Sequence, residues 1–302
     1  QVKFREKWKD VLDREHFEPG QDEFLARDRG GGKRRLFVLD HLVPAYDADA
    51  GGRCTWRYLK LFLEKGFRIT FLADNFHDPQ PYTREMQQLG IDVVYGSRYC
   101  HNWKTWLPTV ARYFDFAFLQ RPYDTIRYID LLKEHSRAKI VYFGHDLHFL
   151  RERRQYELEH DEALLKASKE SGRIEFEIFS KTDVVFCVGS YERKIISDAF
   201  PGKPVYDIPL YFYDAPTEPH PDPEACRDLL FVGGFNHKPN RDCVLWFAKE
   251  VFPKIRKELP GVKWRVVGSN PPPPVKALAS DDLIIAGFVS DEELYVLYAP
   301  RR

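Results

Sequence analysis

Short apolar runs alternate with longer stretches of helical pattern along most of the chain, and this alternation constrains the fold more than any other feature. Repeated strand–helix–strand units require right-handed crossovers, so they build a parallel sheet with helices on both faces. The pattern therefore predicts an α/β fold with a doubly wound, Rossmann-like domain over residues 34–210. The predicted strands are residues 36–39, 68–72, 92–95, 116–119, 139–143 and 183–188, with a further short run at 205–210.

A second domain is predicted downstream. Residues 211–227 contain four prolines and several acids, so we interpret them as a linker. The alternation restarts over 228–302, and because a complete doubly wound domain has six strands, we expect a second, incomplete Rossmann-like domain there. Residues 1–33 precede the first domain as a charged amphipathic stretch and a glycine-rich connection. The predicted elements of the second domain are strands 229–232, 263–267 and 283–286, a helix over 240–259 and a helix from residue 291.

Composition excludes several classes of protein. The chain has 46 basic and 46 acidic residues, a formal net charge of zero, so no nucleic-acid partner is expected. Its 43% hydrophobic and 15% aromatic content is enough for a globular core. The five cysteines include no CxxC pair, which indicates neither a disulfide framework nor a zinc site. No apolar run approaches the roughly 18 residues of a membrane span, and we expect a cytoplasmic location.

Ligands of open α/β sheets collect beyond the carboxyl ends of the strands. After the first predicted strand, the pair Gly51 and Gly52 comes before a predicted helix. Backbone amides at such a helix N-terminus can approach a phosphate. A tight turn that needs glycine for positive φ explains the pair equally well, and the spacing alone leaves both interpretations open.

The fifth predicted strand leads directly into Gly144, His145 and Asp146. A histidine and a carboxylate at this place are suited to contact a polar ligand or to transfer a proton, so both are candidate catalytic residues. Alternatively, Asp146 caps the following helix and His145 packs beside it. His145 and His148 have no neighbouring cysteine or carboxylate cluster, so no metal site is predicted. A charged helix is expected over 151–181, with Glu175 on its solvated face.

The second domain repeats the order of strand, glycine pair and helix. If the two domains dock with their strand ends together, the two glycine loops would face one another across a cleft for one anionic ligand. A glycine turn with Asn240 as helix N-cap is the alternative. Ser290 and Glu293 form a predicted capping box. The candidate ligand-binding residues of this domain are Gly234, Asn236, His237, Gly268, Ser269, Gly287 and Val289.

The order of these loops resembles that of a known family. The stretches FVLDHLVPAYDADAGGR, VYFGHDLHFLRE, DLLFVGGFNHKPN, WRVVGSNPP and IIAGFVSDEEL, spread over residues 34–299, are similar to those of GT-B-fold glycosyltransferases. The bacterial retaining family 4, with a glycosyl transferases group 1 C-terminal domain, resembles the chain most. The resemblance implies an acceptor-binding first domain, a second domain for a nucleotide-sugar donor, and transfer without a required metal or other cofactor.

The resemblance also implies roles for individual residues. Gly51 and Gly52 match the loop near the donor phosphates, and His145 matches a histidine that contacts the transferred sugar. The family's pair of glutamates has no counterpart and is expected beyond Arg302. The residues that match segments near the diphosphate and the base are Gly234, Asn236, His237, Gly268, Ser269 and the backbone from Gly287 to Val289.

The expected function is sugar transfer to a glycan or lipid-linked acceptor in bacterial surface polysaccharide synthesis. Two alternatives remain: a truncated or degenerate module that binds an acceptor without turnover, and a sugar-nucleotide 2-epimerase. The opening stretch FREKWKDVLDREHF resembles the tail of a GT-A transferase domain, which suggests further transferase domains in the same polypeptide. The basic and aromatic residues 98–112 fit either peripheral contact with the inner membrane face or a packed helix.

Overall fold

The strands of the protein form two separate sheets, and both are entirely parallel. The computed structural model describes residues 2–17, 23–26, 30–212 and 228–298. By its internal contacts the chain divides into two units, Gln1–Phe212 and Tyr213–Arg302. Each unit is described by itself below. The sheets confirm the predicted α/β class with two Rossmann-like units, the second of which has three strands in the described region.

The first unit has a seven-stranded sheet in the order β3-β2-β1-β4-β5-β6-β7. The chain winds outward from β1 in one direction and then returns to continue in the other, which is the doubly wound arrangement. All six predicted strands and the further short run are present. The strands are β1 (Arg35–Asp40), β2 (Arg68–Ala73), β3 (Asp92–Val94), β4 (Phe116–Gln120), β5 (Lys139–Phe143), β6 (Val184–Cys187) and β7 (Val205–Asp207).

Helices cover both faces of this sheet. Strand β1 shows why, because every residue in it is buried and its side chains alternate between two apolar clusters. Phe37 and Leu39 belong to one cluster, whereas Leu36 and Val38 belong to the other. The helices of the unit are α1 (Val2–Lys7), α2 (Lys9–Glu15), α3 (Glu23–Ala26), α4 (Ala50–Glu64), α5 (Tyr82–Gln88), α6 (Ser97–Ala111), α7 (Pro122–His135), α8 (His148–Glu159), α9 (Glu162–Lys181) and α10 (Ser190–Ala199).

The structure corrects one predicted helix of the first unit and agrees with the prediction of another. The stretch 151–181 is not one helix, because His160 takes a left-handed backbone (φ 53°) and Asp161 starts α9 by accepting a hydrogen bond from Ala163 N at 2.9 Å. Helix α6 buries Trp103 and Leu107 in the core, which agrees with the packed-helix interpretation of 98–112. No helix in the described part of the chain is long and apolar enough to cross a membrane.

The N-terminal residues pack on the first sheet unit. The ring of Phe24 stacks on Tyr113, with 4.7 Å between ring centroids, and Gly31 N donates to the carbonyl of Glu15 at 3.0 Å. The described part of the predicted lead-in therefore contacts the same core as the strands that follow it.

The second unit has a three-stranded sheet in the order β10-β9-β8. This is the order of one half of a doubly wound domain. Phe235, Val244 and Trp264 lie at the centre of its core. Its elements are β8 (Leu229–Val232), β9 (Trp264–Val267), β10 (Leu283–Gly287), α11 (Lys238–Trp246), α12 (Phe252–Glu258), α13 (Pro273–Lys276) and α14 (Asp291–Tyr298).

The helix predicted over 240–259 differs in detail. It begins two residues earlier, so the N-cap position is His237 and the prediction of Asn240 as N-cap is wrong. A π-helical turn, Phe247–Val251, joins α11 to α12. Pro253 follows this turn, and a proline cannot donate a backbone hydrogen bond into a regular helix. The predicted capping box is confirmed, because Glu293 N donates to Ser290 Oγ at 3.2 Å and Ser290 N donates to Glu293 Oε2 at 2.9 Å.

Replacing Gly268 should destabilise the second unit. A β-carbon there would collide with the carbonyl oxygen of Gly233, and backbone cannot move aside as a flexible side chain can. We expect Gly268→Ala to lower the free energy of unfolding by about 1–3 kcal/mol, measured by urea denaturation. Gly234→Ala is the matched control, because its β-carbon would lie 3.4 Å from Ser269 Oγ, an ordinary contact. Equal stability of the two variants would contradict the packing described here.

Candidate functional site

The first sheet has a topological switch point between β1 and β4, where the strand order reverses. In doubly wound sheets the ligand crevice lies beyond the carboxyl ends of the strands at this point. The last residues of these two strands are Asp40 and Gln120, and both are buried polar side chains. Buried polar groups need hydrogen-bond partners, and their partners define the candidate site.

Asp40 is a buried carboxylate held by donors from three segments. Its Oδ1 accepts hydrogen bonds from His41 N and His41 Nδ1, both at 2.8 Å, and from Arg121 Nε at 3.3 Å. Its Oδ2 accepts from Thr55 Oγ1 at 2.7 Å. Burial alone would raise the pKa of Asp40, but the hydrogen bond from His41 and the charge of Arg121 outweigh burial and hold the pKa well below its usual range. Asp40 is therefore a fixed negative charge.

His145 lies in the same network. Its Nε2 is 2.7 Å from the side-chain amide of Gln120, and its ring stacks on Phe143 with 4.5 Å between centroids. The Gln120 amide in turn lies 3.1 Å from Thr55 Oγ1. Burial and the nearby charge of Arg121 lower the pKa of His145 to about 3. The imidazole is therefore neutral at neutral pH, and the structure places this predicted site residue against Gln120 at the switch point of the sheet.

Two residues of the site have unusual backbone conformations. Arg121, directly after β4, has φ 64° and ψ 129°, and His145, shortly after β5, has φ 68°. Non-glycine residues rarely adopt positive φ, and such strain clusters at functional sites. Both side chains contact the Asp40–Gln120 pair. The strained residues of two neighbouring strands thus converge on one cluster.

The glycine pair has a role that neither sequence interpretation anticipated. Helix α4 begins at Ala50, so Gly51 and Gly52 lie inside its first turn, and neither has positive φ. A β-carbon on Gly52 would lie 2.8 Å from the backbone of Ala45, and one on Gly51 would lie 2.6 Å from Arg121 Nη2. The Gly52 amide already donates to the Asp49 carboxylate at 2.7 Å. The glycine pair therefore permits Ala45 and Arg121 to lie close to the first turn of α4. Arg121 places a cation beside the N-terminus of this helix.

The loop that carries His145 and Asp146 is held by two carboxylates. Glu175 accepts hydrogen bonds from His148 N and Phe149 N, both at 3.0 Å, so it caps α8 from the neighbouring helix. Glu192 accepts from Leu147 N at 3.3 Å. The prediction that Glu175 is solvated is wrong, because its side chain is fully buried. Burial raises the pKa of Glu175 to about 7 despite its two backbone hydrogen bonds.

Asp146 makes polar side-chain contacts with two residues, and the one with Arg151 is an ion pair. Its carboxylate contacts Arg151 at 2.5 Å and His148 Nε2 at 3.3 Å, and the side chain is one-third exposed. The alternative interpretation, in which Asp146 caps α8, is wrong, since the capping carboxylate is Glu175. Asp146 thus lies next to His145 on the loop and remains accessible to a ligand.

A pair of carboxyl groups lies along the same edge of the sheet. Asp74 follows β2 and accepts hydrogen bonds from Tyr128 Oη at 2.6 Å and from Arg127. Asp124 lies in the first turn of α7, and burial together with the charge of Asp74 raises its pKa to about 7. A carboxyl group with this pKa can exchange a proton near neutral pH.

In the second unit the predicted residues follow the carboxyl ends of its three strands. Phe235 N donates to the carbonyl of Ser269 at 2.9 Å, and Gly268 N donates to the carbonyl of Gly287 at 2.8 Å, so the three loops are in contact. Gly234 and Ser269 are neighbours, and Asn236 accepts from Asn270 Nδ2 at 3.4 Å. His237 is exposed at the start of α11, and Val289 is half-buried beyond β10. These predicted residues therefore lie together at one edge of this sheet, and their role in ligand binding stays a prediction.

Sequence reasoning missed four residues of the first crevice. Asp40 and Gln120 are each the polar last residue of an apolar strand. This position could have identified both as candidate site residues. Thr55 and Arg121 carry no such signal, because their contacts come from the tertiary fold. In the described part of the chain no three His, Cys, Asp or Glu side chains form a cluster that could hold a metal ion. That sugar transfer requires no metal stays an expectation from the resemblance.

Comparison with known proteins agrees with the fold. The sequence family described as glycosyl transferases group 1 matches residues 226–300. A search of curated proteins finds no match. The solved structure of TarM has a TM-score of 0.62 at 8% identity, covering 87% of this chain and 78% of TarM. An S. aureus TarM mutant in complex with fondaparinux, alpha-GlcNAc-glycerol and UDP has a TM-score of 0.56 at 8% identity, with 85% and 78% covered.

Residues 226–300 match the group 1 glycosyltransferase family, and the chain has the GT-B fold. The resemblance and the enzyme class expected from the sequence are confirmed at this level. At 8% sequence identity, the similarity to these solved structures establishes the fold and nothing further. The roles of individual residues in this GT-B chain stay predictions, and those in the crevice rest on the geometry above.

Replacing Glu175 by glutamine should change how stability depends on pH. A folded-state pKa of about 7, above the unfolded value near 4.3, gives stability that is present below the unfolded pKa and is lost as pH rises through about 7. A glutamine side chain does not titrate, so we expect the advantage of wild type over Glu175→Gln to shrink between about pH 4.5 and 7, by about 2–3 kcal/mol. Urea unfolding across this range measures it.

Glu177→Gln is the matched control, because Glu177 lies on the same helix and, among the described residues, its carboxylate pairs with Arg173 and Lys181. We expect its stability difference from wild type to lack this slope. A pH-independent difference for Glu175→Gln would contradict the protonation behaviour assigned to this buried carboxyl.

Proposed function

We propose that the chain transfers a sugar from a nucleotide-sugar donor to a glycan or lipid-linked acceptor, in bacterial surface polysaccharide synthesis. The group 1 domain and the GT-B fold support the donor class. The convergence of strained Arg121 and strained His145 on the buried Asp40–Gln120 pair is the observation that carries the proposal. It supports a preorganised ligand site in the first unit, at the position where doubly wound sheets bind ligands.

Arg121 is suited to the charge that develops during transfer. A departing nucleoside diphosphate becomes more negative as the glycosidic bond breaks, and fixed positive charge stabilises it. The guanidinium donates a hydrogen bond from Nε to Asp40. Within the described residues its other N–H groups make no hydrogen bond. It also lies beside the N-terminus of α4, whose dipole favours an anion. We assign Arg121, with Gly51, to phosphate binding.

His145 and the carboxyl groups would act on the sugar and the acceptor. A neutral imidazole is suited to hydrogen-bond a sugar hydroxyl, and Asp146 lies next to it on the same loop. An acceptor hydroxyl must lose a proton when it becomes the new glycosidic oxygen. Asp124, whose pKa burial and Asp74 raise to about 7, is a candidate to receive it.

Calorimetry with UDP-, GDP- and dTDP-sugars tests donor binding by this chain. We expect one nucleotide class to bind, and His145→Ala to lower transfer by about 10- to 100-fold through loss of a buried hydrogen bond to the sugar. His77→Ala is the control, because the side chain of His77 is exposed. Binding without any transfer would favour a non-catalytic module, and conversion of the donor sugar without acceptor would favour an epimerase.

Gly51→Ala separates phosphate binding from folding. The new β-carbon would lie 2.6 Å from Arg121 Nη2, at the end of a flexible side chain, so the guanidinium moves while the helix gains propensity. We expect unchanged or higher stability and at least about tenfold weaker binding of the nucleotide, equal to about 1.4 kcal/mol. Gly172→Ala, inside α9 and in ordinary contact with Phe149 at 3.5 Å, is the control. Unchanged affinity in Gly51→Ala would remove Arg121 from the phosphate site.

A further inference from the structure

The hydrogen bonds around Gln120 contain a conflict over protons. With Gln120 Oε1 facing its neighbours, Thr55 Oγ1 would donate both to Asp40 Oδ2 at 2.7 Å and to Gln120 Oε1 at 3.1 Å. A threonine hydroxyl has a single proton and cannot make both bonds at once. In this orientation Gln120 Nε2, with two protons, is also buried without any partner among the described residues.

The proton of Thr55 belongs to Asp40. That contact is the shorter of the two, and its acceptor is a carboxylate that stays ionised, so the bond is charge-assisted. Thr55 Oγ1 then has only lone pairs to offer to Gln120. The group of Gln120 that faces Thr55 must therefore be a donor, which is the amide NH2.

Turning the Gln120 amide by 180° gives a partner to the hydroxyl proton of Thr55 and to both amide N–H groups of Gln120. The two N–H groups then point to Thr55 Oγ1 and to His145 Nε2, the two atoms within hydrogen-bond distance of that position. The amide oxygen takes the position without a partner, and a buried carbonyl tolerates this better than a buried NH2 does. Which amide atom occupies which position is decided by the network, since nitrogen and oxygen are nearly alike in shape.

We propose that Gln120 is a positioning residue that donates to His145 Nε2 and thereby fixes His145 in the tautomer protonated on Nδ1. The chain of bonds runs from the Asp40 carboxylate through Thr55 and Gln120 to the imidazole. His145 then has no lone pair left for a ligand, because Nε2 accepts from Gln120 and Nδ1 carries the proton. It acts as a hydrogen-bond donor to an oxygen of the sugar, and it cannot be the base that takes the proton of the acceptor.

This inference rests on the proposed function only for the sugar that His145 would contact, and the tautomer itself is measurable without any ligand. Nitrogen-15 NMR of the full chain, with the His145 signals assigned through their loss in His145→Gln, distinguishes the two neutral tautomers. We expect the Nδ1-protonated form to exceed the other by about tenfold or more, since a mispaired buried group costs about 1–3 kcal/mol. A His145 ring protonated on Nε2 would overturn the proposal.

Gln120→Glu provides the second arm. A carboxylate only accepts hydrogen bonds, so it should draw a proton to His145 Nε2 and reverse the tautomer or charge the ring. Gln88→Glu, at an exposed position of α5, adds the same charge and should leave the His145 signals unchanged. If Gln120→Glu does not fold, the wild-type spectrum still decides the question. An unchanged Nδ1-protonated ring in a folded Gln120→Glu would contradict control of His145 by Gln120.

Donor turnover separates this inference from the proposed function. If wild type has the Nδ1 tautomer but binds no nucleotide sugar, the proton network stands and the function fails. If wild type transfers sugar with the Nε2 tautomer, the function stands and the role of Gln120 falls. Where both hold, Gln120→Glu should lower kcat about tenfold or more while the Gln88→Glu control keeps wild-type values.

Discussion

The buried carboxylate of Asp40 is the interaction on which the crevice depends. An ionised group out of water is strongly destabilising unless donors surround it. Here the donors come from the loop after β1, from α4 and from the residue after β4. The carboxylate therefore ties together three segments at the switch point of the sheet. Loss of any one donor would leave a buried charge partly unpaired, which is why the positions of Thr55 and Arg121 are so closely constrained.

This requirement also explains the backbone strain. Conformations such as those of Arg121 and His145 cost about 1–3 kcal/mol each and persist only where the surroundings compensate. Arg121 is compensated by its ion pair with Asp40, and His145 by its contact with Gln120 and its stacking on Phe143. On the other side of His145, Glu175 and Glu192 bind the backbone amides of the loop. His145 is thus held through its side chain and through the backbone of the loop that follows it.

The parallel sheets were predictable because each buried strand appears in the sequence as a short apolar run. Such a run can be recognised from neighbouring residues alone. The Ser290–Glu293 box was predictable for the same reason, since its partners are three positions apart. Glu175 was not, because its partners on α8 lie 26 and 27 positions away, and a helix pattern cannot show which neighbour covers a side chain. Arg121 and the glycine pair fall in the same class. The need for glycine at position 51 becomes clear only from the Arg121 guanidinium, which lies where a β-carbon would point.

The distribution of pKa shifts separates two parts of the molecule. The charge of Arg121 contributes both to the lowered pKa of Asp40 and to the lowered pKa of His145, so one cation helps fix an anion and a neutral ring together. Their protonation does not change near neutral pH. Within the part of the chain that the structure describes, Glu175, which supports the loop, and Asp124, beside Asp74, have pKa values of about 7. Among these four groups, a change of protonation near neutral pH is therefore confined to Glu175 and Asp124, whereas Asp40 and His145 keep their charge states.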